Sequence, residues 1–334
     1  MIQYVEAKGT HMQIGSIIGK ALKNEIRQQV INCNFYYESQ YQRSIQELYR
    51  FSSEFLPYAQ KYFPQYVEEL QGMAHGAGVS FDDLFVILAE EEVIGCLEKR
   101  MPNKCTTLAA KSKNNYLLAH NEDYIPYYGF YAAKVQPINE PEFLCVSYLG
   151  TLGGSSVALN NYSAFSGNTI DTVKCKYGIP KNILLRAMCS KKTIDEVIEL
   201  WKLPRALGNN TIIITKEKIF DIEATPDKMA LFEEKELFYH TNHLLHNSLK
   251  NTPESPTESS IARYKRLSKL LKGKKELTEI DMQIILSDHH GKLPICRHSG
   301  MSQTLSSSII DFENKSLNVY EGNPCNGKKQ IYYL

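Results

Sequence analysis

The run Cys105-Thr106-Thr107 is followed, after the length of one short β-hairpin, by Asn121-Glu122-Asp123. Pairing of the two runs would return a carboxylate to the side of a thiol, with Asp123 the acid expected beside Cys105. A thiol with a proton acceptor at hand is the minimum needed to attack a carbonyl carbon. Taken alone, a cysteine before two threonines is weak evidence and fits a buried core cysteine better, the ordinary fate of a free Cys.

A second set of chemistry-bearing residues lies late in the chain. His240, His243 and His246 fall at i, i+3 and i+6, and Asp288-His289-His290 precedes Cys296 and His298. These are zinc-binding residue types. Three histidines so spaced fan over about 120° of a helix, and a strand would turn His243 away from the other two. Eight cysteines are scattered without a C-x-x-C pair, which favours neither a disulfide framework nor a thiolate zinc site. Most are expected to be reduced core residues, and no metal is expected.

The elements that must position these groups follow from periodicity. Ile14, Ile17, Ile18, Ala21 and Leu22 make one apolar helical stripe after Gly9. Ser44-Ile45-Gln46-Glu47 and Ser80-Phe81-Asp82-Asp83 start two further helices with a capping hydroxyl and an acid at N3, while Gly72, Gly76 and Gly78 read as a loop between them. From Cys105 the texture turns to short β-runs at 106–110, 116–119, 143–148 and 157–160. A helical block at 181–201, split by the capping box Thr193 to Glu196, precedes strands at 211–215, 219–223 and 229–232. An exposed Pro/Ser/Thr/Asn-rich loop at 247–259 leads to two helices, one carrying Ile261, Tyr264, Leu267, Leu270 and Leu271 and one starting near Thr278, with closing strands around Ile309 and Val319. Grouped strands between groups of helices predict an α+β fold with mostly antiparallel sheets in one domain.

Composition narrows the function classes. A chain of 334 residues buries roughly 75% of its unfolded surface, ample for an enzyme. Its 38 basic and 37 acidic side chains give a net charge of +1, no footprint for a nucleic acid, and Lys272 to Lys275 read as a solvated helix end. No apolar run approaches the ~18 residues of a membrane span and the N-terminus has no export pattern, so a cytoplasmic location without membrane contact is expected. Tyr124, Tyr127, Tyr128, Phe130 and Tyr131 follow the candidate hairpin and suit an acyl pocket or ordinary core packing alike.

Eight landmarks occur in order: Gly72 to Gly78, Cys105-Thr106-Thr107, Asn121-Glu122-Asp123, Arg205 to Asn210, His240-Thr241-Asn242-His243, Ser260-Ile261-Ala262-Arg263, Asp288-His289 with Ile295-Cys296-Arg297-His298, and Gly322-Asn323-Pro324-Cys325. Together they make the sequence resemble the acyl-CoA:6-aminopenicillanic-acid acyltransferase family, cysteine N-terminal-nucleophile (Ntn) hydrolases related to peptidase C45. The resemblance implies an αββα four-layer sandwich and self-cleavage between Lys104 and Cys105, leaving a helical 1–104 chain associated with a catalytic 105–334 chain. It implies that Cys105 attacks a small-molecule acyl amide or acyl thioester, that the thioester acyl-enzyme is resolved by water or an amine, and that acyl-CoA can be a donor substrate without any cofactor. Asp123 would orient the Cys105 α-amino group, Asn210 would face the oxyanion, and Thr107 would support the nucleophile. Asn121, Ser260 and Arg263 would be supporting residues, and higher oligomers are left open. An α-amino group of reference pKa ~7.7–8.0 makes one residue both nucleophile and base.

One position departs from the pattern: relatives commonly carry Gly before the nucleophile, whereas this chain has Lys104, without the backbone freedom of Gly. Slower or absent self-cleavage is the expected consequence. Two rival readings follow, a zinc-dependent hydrolase built on the late His, Asp and Cys residues, and an uncleaved relative that binds a small ligand.

Overall fold

The computed structural model describes residues 2–97, 105–170, 176–252 and 257–334. Strand β1 (Gln3–Gly9) leads into α1 (His11–Ala21), α2 (Lys23–Tyr36), α3 (Ile45–Ser53), α4 (Leu56–Tyr62), α5 (Pro64–Ala77), α6 (Phe81–Leu88) and α7 (Glu90–Cys96). Strands β2 (Thr106–Ser112), β3 (Asn115–Tyr124), β4 (Phe130–Pro137), β5 (Phe143–Tyr148), β6 (Val157–Asn160) and β7 (Ala164–Ile170) come next. After α8 (Lys181–Met188) and α9 (Ile194–Trp201) follow β8 (Gly208–Ile214), β9 (Ile219–Ala224), β10 (Met229–Glu234) and β11 (Leu237–His240). The chain closes with α10 (Glu258–Leu271), α11 (Glu279–Leu286), β12 (Gln303–Asp311), β13 (Ser316–Glu321) and β14 (Lys329–Tyr333).

Local chemistry sets the helix starts. Ser44, Ser80 and Thr193 form the expected capping boxes with Glu47, Asp83 and Glu196, and Thr10 with Gln13 and Thr278 with Asp281 add two more. Each satisfies amide groups that a helix start leaves free.

The glycine segment at 72–78 is not a loop. Gly72 and Gly76 lie inside α5, and Gly78 ends it in the left-handed conformation with φ +67°. Their role is close packing: a Cβ on Gly72 would stand 2.2 Å from the Met12 carbonyl oxygen, and one on Gly15 1.8 Å from that of Glu69. Four glycines, 15 and 19 on α1 with 72 and 76 on α5, let the two backbones touch. Five strands among the described residues, β1, β4, β7, β11 and β14, also lie outside the expected runs.

The strands form two sheets, an eight-stranded one in the order β1-β4-β5-β6-β7-β8-β9-β10 and a six-stranded one in the order β11-β2-β3-β12-β13-β14. Every pairing among the named strands is antiparallel except β1 with β4. Helices α1 to α9 share a core with the first sheet, while α10 and α11 pack on the outer face of the second through Leu267, Leu271, Met282 and Ile285. Contacts of β2 and β3 with β7 and β8 set the sheets face to face. The result is the expected αββα sandwich. No helix among the described residues is long and apolar enough to cross a membrane.

Candidate active site

Cys105 stands immediately before β2, an inner strand of the second sheet flanked by β11 and β3. Thr106 pairs with Asn121 and Thr107 with His120, so the next position back sets Cys105 opposite Glu122. Strand alternation then sorts the hairpin into two faces. Cys105, Thr107, His120 and Glu122 point between the sheets; Thr106, Asn121 and Asp123 point toward the α10–α11 layer.

The inner face carries a continuous buried relay. Cys105 Sγ donates to Glu122 Oε1 at 2.8 Å, Glu122 Oε2 meets His120 Nε2 at 3.1 Å, and His120 Nδ1 lies 2.8 Å from Thr107 Oγ1 and 2.6 Å from Ser166 Oγ. The carboxylate against the thiol is therefore Glu122, where the sequence reading put Asp123. The register decides this: the acid opposite the cysteine is the one reached by counting back from the Thr106–Asn121 pair.

Electrostatics follow from this enclosure. Burial, then the Glu122 charge, pushes the Cys105 thiol well above its ordinary value of 9.0. Burial alone would raise the Glu122 carboxyl too, but the His120 ring and the thiol hydrogen bond bring it down to about 2. A carboxylate held so low is too weak a base to deprotonate such a thiol.

The outer face fixes the backbone. Arg263, fully buried on α10, donates from Nη1 to the Cys105 carbonyl and to Thr106 Oγ1 at 2.8 Å, from Nη2 to Asn242 Oδ1 at 2.8 Å, and from Nε to Ser259 Oγ at 3.2 Å. Burial lowers its guanidinium to about 10, against the pull of Asp123. Asp123 accepts from Thr304 Oγ1 at 2.6 Å, while its buried Oδ2 has no hydrogen-bond partner among the described residues. Burial, only partly countered by Arg263 and the Thr304 bond, raises this carboxyl to about 7.

The other expected residues are placed as follows. Thr107 reaches across to the first sheet, meeting Ser166 Oγ at 3.1 Å and Asn168 Oδ1 at 3.0 Å. Asn121 donates to the carbonyls of Leu286 and Ile295 and accepts from Ser307 Oγ, so it ties β3 to the end of α11. Ser260 accepts the Asn242 amide at 2.8 Å and meets Thr241 and His243, which holds the segment that supplies Asn242 to Arg263. Asn210 donates to Asp221 and accepts from Asn168 at 2.9 Å, and is joined to Thr107 through Asn168. Lys104 lies outside the described residues, as do 253–256 of the expected loop.

Three of these contacts were not foreseen. Glu122 sat inside a landmark motif with no role, and His120 and Ser166 had no sequence signal, because only strand register and sheet stacking bring them together. The aromatic cluster proves partly polar: Tyr124 and Tyr128 donate to Glu90 at 2.7 and 2.5 Å, and burial raises that carboxyl to about 7. With Tyr148 they line a cavity of 10 Å³, room for one water. A 510 Å³ cavity bounded by Lys192, Ile194, Ile213 and Phe220 contains none of the Cys105 shell. Cys105 itself is 2% exposed and lines neither.

The late histidines divide into two groups. His240 pairs with Glu223 at 2.9 Å, His243 meets Ser260 at 2.7 Å and His246 meets Ser248 at 2.8 Å, so those three share no centre. His289 and His298 instead converge with Cys296 and Cys325. Cys96 is disulfide-bonded, whereas Cys33, Cys145 and Cys189 are free and buried as expected.

The family model described as acyl-coenzyme A:6-aminopenicillanic acid acyl-transferase matches residues 110–326. The chain is 25% identical to the β-alanyl-dopamine/carcinine hydrolase of Drosophila melanogaster, over 95% of this chain and 92% of that one. It is 24% identical to the acyl-coenzyme A:6-aminopenicillanic-acid-acyltransferase 40 kDa form of Emericella nidulans, over 97% and 93%. The solved structure of a mutant conjugated bile acid hydrolase from Clostridium perfringens aligns at 12% identity with a TM-score of 0.44, covering 69% of this chain and 97% of that one.

Proposed function

Because this chain belongs to the acyl-coenzyme A:6-aminopenicillanic acid acyl-transferase family, whose chemistry is acyl transfer and amide hydrolysis, we propose that it is a self-processing enzyme with Cys105 as an N-terminal nucleophile. The substrate class is a small-molecule acyl amide or acyl thioester, as the named activities of its two relatives suggest. Acyl-CoA serves as a donor in the transferase direction, and no cofactor is needed.

The observation that carries this reading is the position of Cys105, the residue immediately before an inner strand, with its thiol enclosed and its own carbonyl gripped by Arg263. In the precursor, Cys105 Sγ adds to the carbonyl carbon of residue 104, the C–N bond breaks as the thiol proton passes to the departing nitrogen, and a thioester links residues 104 and 105. Water hydrolyses that thioester, freeing a carboxylate on 104 and the thiol of Cys105, whose amine was released in the step before.

The liberated amine, whose reference pKa lies near neutrality, is the base that Glu122 is too weak to be. The unpartnered Asp123 Oδ2 is the acceptor that orients it. In turnover Sγ attacks the substrate carbonyl, the amine or thiol leaving group takes the proton, and water or an incoming amine releases the acyl group. Asn210 donates to the oxyanion once its amide is released from Asp221, and one such donor is worth ~10²–10³ in rate. Thr107 holds His120 and through it Glu122. The two segments stay associated through the core that α1 to α7 share with the first sheet.

Intact-mass measurement of wild type and Cys105→Ala tests the proposal. Two species split before residue 105 in wild type and one in the variant are expected, with an electrophilic acyl probe labelling Cys105 only in the cut form. An uncut, fully active wild type would refute it.

A further inference from the structure

A second cluster lies where the stretch 287–302, between α11 and β12, meets the turn after β13. Cys296 Sγ is 3.9 Å from Cys325 Sγ and 3.8 Å from His298 Nε2, Cys325 Sγ is 3.3 Å from His298 Nε2, and His289 Nε2 is 2.9 Å from His298 Nε2. All four ligand atoms lie within 4.8 Å of one another. We propose that Cys296, His298, Cys325 and His289 bind a zinc ion that is structural, distinct from the Cys105 site and independent of the function assigned to it.

Four facts converge. Zn–S bonds of about 2.3 Å and Zn–N bonds of about 2.0–2.1 Å in a tetrahedron set ligand atoms roughly 3.3–3.8 Å apart; the three separations among Cys296, Cys325 and His298 are 3.3–3.9 Å, and His289 needs only a small shift from 2.9 Å. Two thiolates and two imidazoles are a closed structural set, with no position left for water and substrate. Asn323 Nδ2 donates to Cys296 Sγ at 3.2 Å and to the Arg297 carbonyl at 2.9 Å, the kind of outer hydrogen bond that steadies a ligating thiolate. Finally, 287–302 contains no helix or strand, and a stretch of that length in a folded domain calls for an anchor.

The fold explains why ligands 29 residues apart meet. Strands β12 and β13 are antiparallel with Ser306 opposite Glu321, so the segment entering β12 and the one leaving β13 lie at the same sheet end. On binding, each thiol gives up its proton and the metal takes four bonds, joining the α11–β12 connection to the β13–β14 turn. The knot borders the active site through Arg297, whose backbone pairs with Thr304, the residue that holds Asp123.

Zinc content of full-length, tag-free protein purified without chelator decides the matter. The expected result is about one zinc per chain, retained in Cys105→Ala, reduced about tenfold or more in Cys296→Ser/Cys325→Ser, and weakened in His289→Ala, whose exposed side chain leaves folding intact. Cobalt substitution should give the visible spectrum of a tetrahedral thiolate site. Folded protein without zinc, a Cys296–Cys325 disulfide by mass, or zinc lost only from Cys105→Ala would overturn the proposal.

Discussion

Cys105 Sγ and Glu122 Oε1 stand 2.8 Å apart in a buried interface between two sheets, and the pair keeps the thiol protonated. The carboxylate that meets the thiol hinders its ionisation, so attack on an external substrate calls for a better base than Glu122.

Glu122→Gln removes that charge with little change of shape. The midpoint of Cys105 alkylation against pH, read site by site by mass spectrometry, is expected to move down, because the second-largest cause of its elevation is gone. The same change costs His120 the charged acceptor at its Nε2, and about 1–3 kcal/mol of stability by denaturant unfolding. An unmoved midpoint would remove Glu122 from control of the thiol.

Arg263→Lys keeps a positive charge and loses the fork that spans Cys105, Thr106 and Asn242. A lysine cannot satisfy all three acceptors, and each one left bare costs about 1–3 kcal/mol. Self-processing, followed by gel or intact mass, is expected to slow by about tenfold or more. Processing at the wild-type rate would show that Arg263 merely fills space.

Most of the architecture was legible because periodicity and capping are local. Ser44, Ser80 and Thr193 announced their helices by chemistry contained within four residues, and the runs at 143–148 and 157–160 became β5 and β6 unchanged. Gly72 and Gly76 misled for a physical reason: glycine reads as a turn locally, but here it serves a partner helix nearly sixty residues away. Cys105 was legible as the candidate nucleophile, yet its neighbour was misassigned, since a one-residue difference in register swaps Asp123 for Glu122. The Cys296–Cys325 encounter was invisible for a similar reason, being made by strand pairing and not by any spacing rule.

Glu69, His11 and Arg186 make stability depend on pH from both sides. Arg186 donates to Glu69 at 2.8 Å and His11 Nδ1 meets it at 2.7 Å, with Glu140 alongside. Burial works against the Glu69 charge, but Arg186 and His11 hold its carboxyl below the ordinary 4.5; that stabilisation is complete above 4.5 and fades as pH falls through the lower folded value. Burial likewise opposes charge on His11, yet Glu140 and Glu69 raise it from 6.5 to about 9, so its share is complete below 6.5 and lost as pH climbs to about 9. Melting temperature of wild type should therefore decline between pH 6.5 and 9, and His11→Gln should flatten that decline while sparing the acid side. Parallel curves for the two proteins would exclude His11 as the group responsible.

The α1–α5 contact gives a sharper test of packing because its tolerance is nearly zero. A methyl group on Gly15 or Gly72 lands 1.8 or 2.2 Å from a carbonyl oxygen of the facing helix, backbone that no rotamer change can move aside. Gly15→Ala and Gly72→Ala are each expected to cost about 3 kcal/mol or more by denaturant unfolding. The Gly15 change also displaces Glu69, and with it the Arg186 pair. Gly167→Ala, whose Cβ would meet only the Asn209 and Leu185 side chains at 3.5–3.6 Å, is the control and should stay within about 1 kcal/mol of wild type. Equal losses at all three positions would mean that the cost comes from glycine replacement in general and not from the closeness of the two helices.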